Sequence, residues 1–144
     1  MNSKLVLEYK FSRDGDAFGW LKAEVHTPRF SGRNGAWVQW QDVGDFAASL
    51  SKFPIETDSP ALCEWGFGEK GQYAEITKVS IAPKALTGGL VADVSLANWY
   101  EPTQRCSTRF DTDYPSLARF QQEIERMMRE RVGSAVLHGS ADFS

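Results

Sequence analysis

Covalent or acid–base catalysis at neutral pH most often uses an imidazole, and this chain has two, His26 and His138. His26 stands between Glu24 and Pro28. His138 falls in a small, polar C-terminal stretch read as mobile, and a mobile base cannot be held in line with its substrate. No Gly-x-Ser-x-Gly elbow accompanies either histidine. Cys63 and Cys106 lie too far apart in the chain for a zinc-ligand pair and are read as reduced, small strand residues. Asp14 and Asp16 flank Gly15 but lack the further oxygen ligands of a calcium loop, so they read as a turn. Gly66-Phe67-Gly68 runs into Glu69-Lys70-Gly71 and a strand, without the helix N-terminus that would cradle a phosphate. Glu24, Glu64, Glu75 and Asp93 fall on strand-like segments, where paired strands could bring two together as in a glycosidase, though a solvated sheet face accounts for them more simply. The expectation is a non-enzymatic chain without catalytic residues, metal or other cofactor.

What remains is surface chemistry. Five tryptophans and four tyrosines are numerous for 144 residues. Trp37 and Trp40 differ in parity, so one strand face cannot bury both. Trp99-Tyr100-Glu101-Pro102 occupies a strand end and turn, where an aromatic side chain is available as an interface anchor. Charge is uneven: residues 36–101 hold nine acidic and four basic side chains, against a net charge of −3 for the whole chain. An acidic middle suits a basic protein partner and speeds association with it. Without a concentrated positive field, nucleic acid is not an expected partner. Glu64, Glu69, Trp99 and Glu101 are the residues chosen for a partner-binding surface.

The elements that must position these residues follow from periodicity. Leu5, Leu7, Tyr9 and Phe11 alternate as in a half-buried strand, and a second strand runs from Ala17 to Thr27 with Leu21, Ala23 and Val25 on one face. A third spans about Ala36 to Trp40. Val43, Phe46, Ala47 and Leu50 then form a helical stripe with Asp42 as its cap. Strands return over Ala61–Phe67, Tyr73–Ala82, Leu90–Trp99 and Gln104–Asp111. Leu117, Phe120, Ile124, Met127 and Arg131 follow 3-4-3-4 spacing behind Asp113 and Pro115, and Glu125 and Arg129 form a favourable i, i+4 pair. The order β-β-β-α-β-β-β-β-α predicts an α+β fold, a curved and mainly antiparallel sheet of six to seven strands with two helices packed on it. Residues 1–132 form the single domain, and 133–144 are expected as a loosely held tail with Val136, Leu137 and Phe143 as anchors.

Several of these segments together carry a family likeness: Phe30-Ser31-Gly32, the strand with Trp37, Asp42-Val43 with Phe46 and Leu50 opening a short helix, the Ala61–Phe67 strand, two long strands, and a closing helix with Leu117, Phe120, Met127 and Met128. This pattern, over about residues 5–132, resembles the WapI-like immunity proteins of bacterial polymorphic toxin systems. The resemblance implies a cytoplasmic protein that binds and blocks a cognate toxin domain, and carries no catalytic signature. The alternative is a small-ligand-binding domain or enzyme whose curved sheet, lined by Tyr73, Trp65 and Trp20, encloses a pocket. A third reading is a homodimer through an edge strand or the final helix. No apolar run is long enough for a membrane span, and Met1 to Phe11 alternates where a signal peptide would be continuously apolar.

Overall fold

In the computed structural model, which describes residues 1–69, 71–85 and 88–141, the strands are β1 (Ser3–Phe11), β2 (Phe18–His26), β3 (Ser31–Gln39), β4 (Ala61–Glu69), β5 (Gln72–Pro83), β6 (Leu90–Ala97), β7 (Arg105–Thr112) and β8 (Ala135–Gly139). Helix α1 (Trp40–Ser49) follows β3, and α2 (Tyr114–Glu130) follows β7. The α+β class, the antiparallel pairing and the two helices agree with the sequence reading. The expected single sheet is instead two four-stranded sheets, ordered β3-β2-β1-β8 and β4-β5-β6-β7. The division has a plain cause: α1 and the 50–60 loop carry the chain out of the first sheet, and β4 starts a new one.

Alternation sets which side chains meet. Leu5, Leu7, Leu21, Ala23, Val25, Ala36 and Val38 face inward from the first sheet, and Val79, Ile81, Leu90, Ala92, Val94 and Phe110 from the second. Phe46 of α1 and Phe120, Ile124 and Met127 of α2 join the same core. Burying each large side chain contributes about 1.5–3 kcal/mol before chain entropy is subtracted. Tyr9 brings a polar atom into this layer; its hydroxyl donates to the Val38 carbonyl at 2.7 Å. Burial, reinforced by the negative charges of Asp16 and Asp42, pushes that phenol up to about 12.

The second correction concerns the C-terminal segment. Residues 135–139 are β8, an ordered strand paired with β1 from Ser3↔Gly139 to Leu7↔Ala135. Ala135, Leu137 and Gly139 are buried, and α2 packs against them. Beyond β8 the two sheets are stitched by reciprocal backbone hydrogen bonds between Asp111 and Ser140, both 2.8 Å. Gly139 permits this, because a Cβ there would collide with the Asp111 carbonyl and the Phe110 ring. Phe143, expected as an anchor, lies outside the described residues.

Helix ends divide in the same way. The Asp113 carboxylate accepts from the Ser116 N–H at 2.7 Å, Pro115 sits in the first turn, and Arg131 closes the helix in the left-handed region at φ 59°. Arg131 is therefore a cap, not part of the apolar stripe, and its guanidinium lies 4.3 Å from the Phe11 ring centre. Helix α1 begins three residues earlier than expected; Gln39 holds the N-cap position without a side-chain bond, and Asp42 lies inside the first turn. The Glu125–Arg129 pair does not form; Glu125 accepts from Gln121 instead.

Candidate functional site

Several of the aromatic residues that the two sheets leave outside the core meet in one place. Trp20 and Trp37 are register partners on β2 and β3 and point outward, with ring centres 5.1 Å apart. Trp20 can lie across β3 because position 35 is glycine; a Cβ there would collide with its indole. Trp99 follows β6 and touches both sheets: its ring is 6.3 Å from Trp20 of the first and 4.6 Å from Phe67 of the second. Phe67 and Trp99 rest on the core while staying half-exposed. Edge-on and tilted contacts of this kind are favourable beyond the area they bury.

Two tyrosines complete the surface. Phe67, Gln72, Tyr73, Ala74, Trp99, Tyr100 and Pro102 line a surface cleft of about 460 Å³. Tyr73 is 57% exposed and Tyr100 82%. Such exposure of a large ring has no folding benefit, so these side chains are free to make contacts elsewhere. Burial raises the Tyr73 phenol above its ordinary value, and the carboxylates of Glu64 and Glu75 raise it further. Both carboxylates also have Lys78 Nζ about 4 Å away.

Three asparagine- and glycine-dependent features hold this arrangement. In the 98–104 loop, Asn98 Oδ1 accepts from the Tyr100 and Glu101 N–H groups at 2.8 and 2.9 Å. The loop is closed by Asn98 N–H to Gln104 O and Gln104 N–H to Glu101 O, each 3.0 Å. A bulge interrupts the β4–β5 ladder between Trp65 and Gly66, so that Ile76 and Thr77 are both buried and the inward parity of β5 changes there. Asn34 of β3 reaches into this irregularity, donating to the Ile76 carbonyl at 3.2 Å, Thr77 Oγ1 at 3.0 Å and the Ala97 carbonyl at 2.9 Å. One side chain thus ties the first sheet to the bulge and to the root of the Trp99 loop. At Gly66 a side chain would strike the Ala74 carbonyl.

Of the four residues chosen from sequence for partner binding, Trp99 lies at the centre of the aromatic run, and Glu101 is exposed beside Tyr100, accepting from Thr103 Oγ1 at 2.6 Å. Glu64 faces out from β4, with Lys78 Nζ 4.0 Å away. Glu69 ends β4, and its side chain lies outside the described part of the structure. Sequence reasoning missed Phe67, Trp20 and Trp37 as neighbours of Trp99, and missed Asn34 and Asn98 as the groups that fix them. No spacing signals the first set, because its members come from different sheets; Asn98, beside a strand end, was readable as an Asx turn.

The groups considered for catalysis are dispersed. His26 is half-exposed on the outside of β2, with Nε2 3.3 Å from a Glu24 carboxylate oxygen. His138, expected in a mobile tail, sits on β8 with its side chain exposed. Glu64 and Glu75 do approach one another, but Lys78 lies between them, and Arg105 bonds Glu75 at 3.2 Å. Asp93 pairs with Arg109 at 2.9 Å. Both cysteines are free, and burial pushes the Cys63 thiol well above its ordinary range. Asp14 and Asp16 form the expected turn, with Gly15 at φ 71° and Asp16 accepting from Phe18 N–H. Among the described residues, no three His, Cys, Asp or Glu side chains are grouped to ligate a metal, and no helix is long and apolar enough to cross a membrane.

Tyr73, Trp65 and Trp20, considered as the lining of one enclosed pocket, do not converge on a common cavity among the described residues. Trp65 packs on Phe46 of α1 at 5.9 Å, Trp20 lies outside the first sheet, and Tyr73 is at the surface cleft. The buried polar side chains, Ser3, Thr27, Thr77, Thr112 and Ser116, include no carboxylate or imidazole among the described residues. The chain matches no protein-family model, no curated protein and no solved structure.

Proposed function

We propose that this chain is a protein-binding module that docks a partner on the face formed by Trp37, Trp20, Trp99, Phe67, Tyr73 and Tyr100. The observation that carries the reading is the run of contacting rings across two sheets, left outside the core and held by the Asn98 and Asn34 hydrogen bonds. Rigid aromatic side chains supply contact area at small entropic cost, which is why they dominate interface energetics. Glu101 adds an exposed acidic group beside Tyr100, and the acidic excess of residues 36–101 favours a basic partner. Glu69 belongs to the same acidic segment by sequence.

The likeness to WapI-like immunity proteins makes the partner a cognate bacterial toxin domain, bound in the cytoplasm and blocked by coverage of its active surface. A non-enzymatic role is supported by the dispersal of His26, His138 and the carboxylates, and by core side chains occupying the space between the sheets. The test is co-expression with a toxin domain encoded beside this gene. Protection of the cells, and a complex weakened at least tenfold by Trp99→Ala or Tyr100→Ala, is the expected result. Unprotected cells, or a complex indifferent to both substitutions, would overturn the proposal. Light scattering on the isolated chain separates this from self-association, since a homodimer through the same face would show twice the monomer mass and dissociate in Tyr100→Ala.

A further inference from the structure

The 460 Å³ cleft has a more specific chemistry than a general apolar patch. Four of its lining residues, Phe67, Tyr73, Trp99 and Tyr100, present ring faces or edges, and the Phe67 and Trp99 planes are tilted 48° to one another. Glu64 and Glu75 act on Tyr73 from nearby, but Lys78 lies about 4 Å from each and Arg105 bonds Glu75, so Glu101 is the carboxylate left to meet a cation. Glu101 lies between Tyr100 and Pro102; Thr103 occupies its Oε1, while Oε2 has no partner among the described residues. A ring face attracts a cation through its quadrupole, and a carboxylate at the rim accepts the cation's N–H groups. A neutral apolar occupant would use the rings and leave Glu101 Oε2 unpaired.

We infer that this cleft is a receptor for a guanidinium group, supplied by an arginine on the docking partner. A planar cation stacks on an aromatic wall and still directs its edge donors sideways to a carboxylate, which a compact ammonium cannot do as well. The inference rests on the docking reading above and names the partner's anchoring side chain. Asn98 makes the receptor pre-formed, since it fixes the Tyr100 and Glu101 backbone before any partner arrives.

The probe is the capped tripeptide acetyl-Gly-Arg-Gly-amide, followed by nuclear magnetic resonance through the Trp99 indole N–H and the Glu101 and Tyr100 amides. Its isosteric control replaces arginine by citrulline, which keeps the shape and removes the charge. The arginine peptide is expected to shift these signals saturably, at least tenfold more tightly than citrulline. Tyr100→Ala and Glu101→Gln are expected to weaken it, and added salt to do the same. Both substituted side chains are exposed, so neither variant threatens folding. Equal binding of the citrulline peptide, shifts confined to another surface, or no shifts up to the peptide's solubility limit would each overturn the inference. The docking reading fails on different data: a partner complex that forms and responds to Tyr100→Ala, while the tripeptide leaves the cleft untouched, preserves docking and removes the guanidinium.

Discussion

Helix α2 and the 98–104 loop treat aromatic side chains in opposite ways. Phe120 is fully buried, with Phe46 6.3 Å away and Ile124 and Met127 completing the same stripe. Trp99 and Tyr100 stand in the loop with their rings half or largely exposed. The difference lies in what fixes each position. Around α2, apolar packing fixes the ring, and the side-chain hydrogen bonds lie at the helix ends and along its polar face. Around the loop, side-chain amides fix the backbone, and the rings are left over. Packing makes a ring indispensable to the fold, whereas amide clamps let a ring be displayed without being needed for stability. Folding and recognition are thereby assigned to different residues.

That separation can be broken most directly at Phe120. Phe120→Ala leaves a cavity under α1 and α2 and is expected to cost about 3–5 kcal/mol, read by urea unfolding. Asn34→Ala comes next. It leaves the Ile76 and Ala97 carbonyls without their donor, with an expected loss of about 2 kcal/mol and faster amide exchange in the 98–104 loop. If loop exchange were unchanged, the clamp would not reach the display surface. Gly35→Ala, at about 1 kcal/mol, forces Trp20 off β3 and should shift tryptophan fluorescence more than its stability cost implies.

Asp113→Ala removes the α2 cap for about 1 kcal/mol. The Ser116 N–H holds the Asp113 carboxyl below its ordinary range, opposed by burial and aided by the charge of Arg119. Its contribution is complete above the unfolded-chain value near ~4 and fades as pH falls through the lower folded value. The gap between Asp113→Ala and the parent protein should therefore close in acid, measured as unfolding midpoints across pH. Tyr100→Ala is the smallest effect on folding, within about 0.5 kcal/mol, and the largest expected on partner affinity. A Tyr100→Ala protein that lost several kcal/mol of stability would erase the contrast between the two regions.

How far the sequence revealed this depends on whether a feature is local. The inward faces of β1 and β2 followed from Leu5, Leu7, Leu21, Ala23 and Val25, because alternation is written in neighbouring residues. Helix α2 was visible through Leu117, Phe120, Ile124 and Met127 and through its Asp113 cap. Strand β8 was not, since Ala135 and Gly139 contribute little apolar weight and a five-residue strand gives alternation little length to appear. The β5 bulge hid behind adjacent Ile76 and Thr77, both of which are buried. Trp99 and Glu101 drew attention because a turn holds them at a strand end. Phe67, Trp20 and Trp37 could not be joined to them from sequence, because their meeting depends on how one sheet is set beside the other.

The pairing of β8 with β1 also bears on how the protein is made. The ribosome delivers β1 first, and β2 covers one of its edges within a few residues, but the other edge waits for residues 135–139. Until residues 135–139 emerge, therefore, the growing chain carries an open strand edge beside Leu5 and Leu7, a surface on which other nascent chains can pair. A chain that stopped before Ala135 would leave that edge permanently bare, so such products should be recognised by chaperones or aggregate, while a chain that includes β8 closes the seam itself.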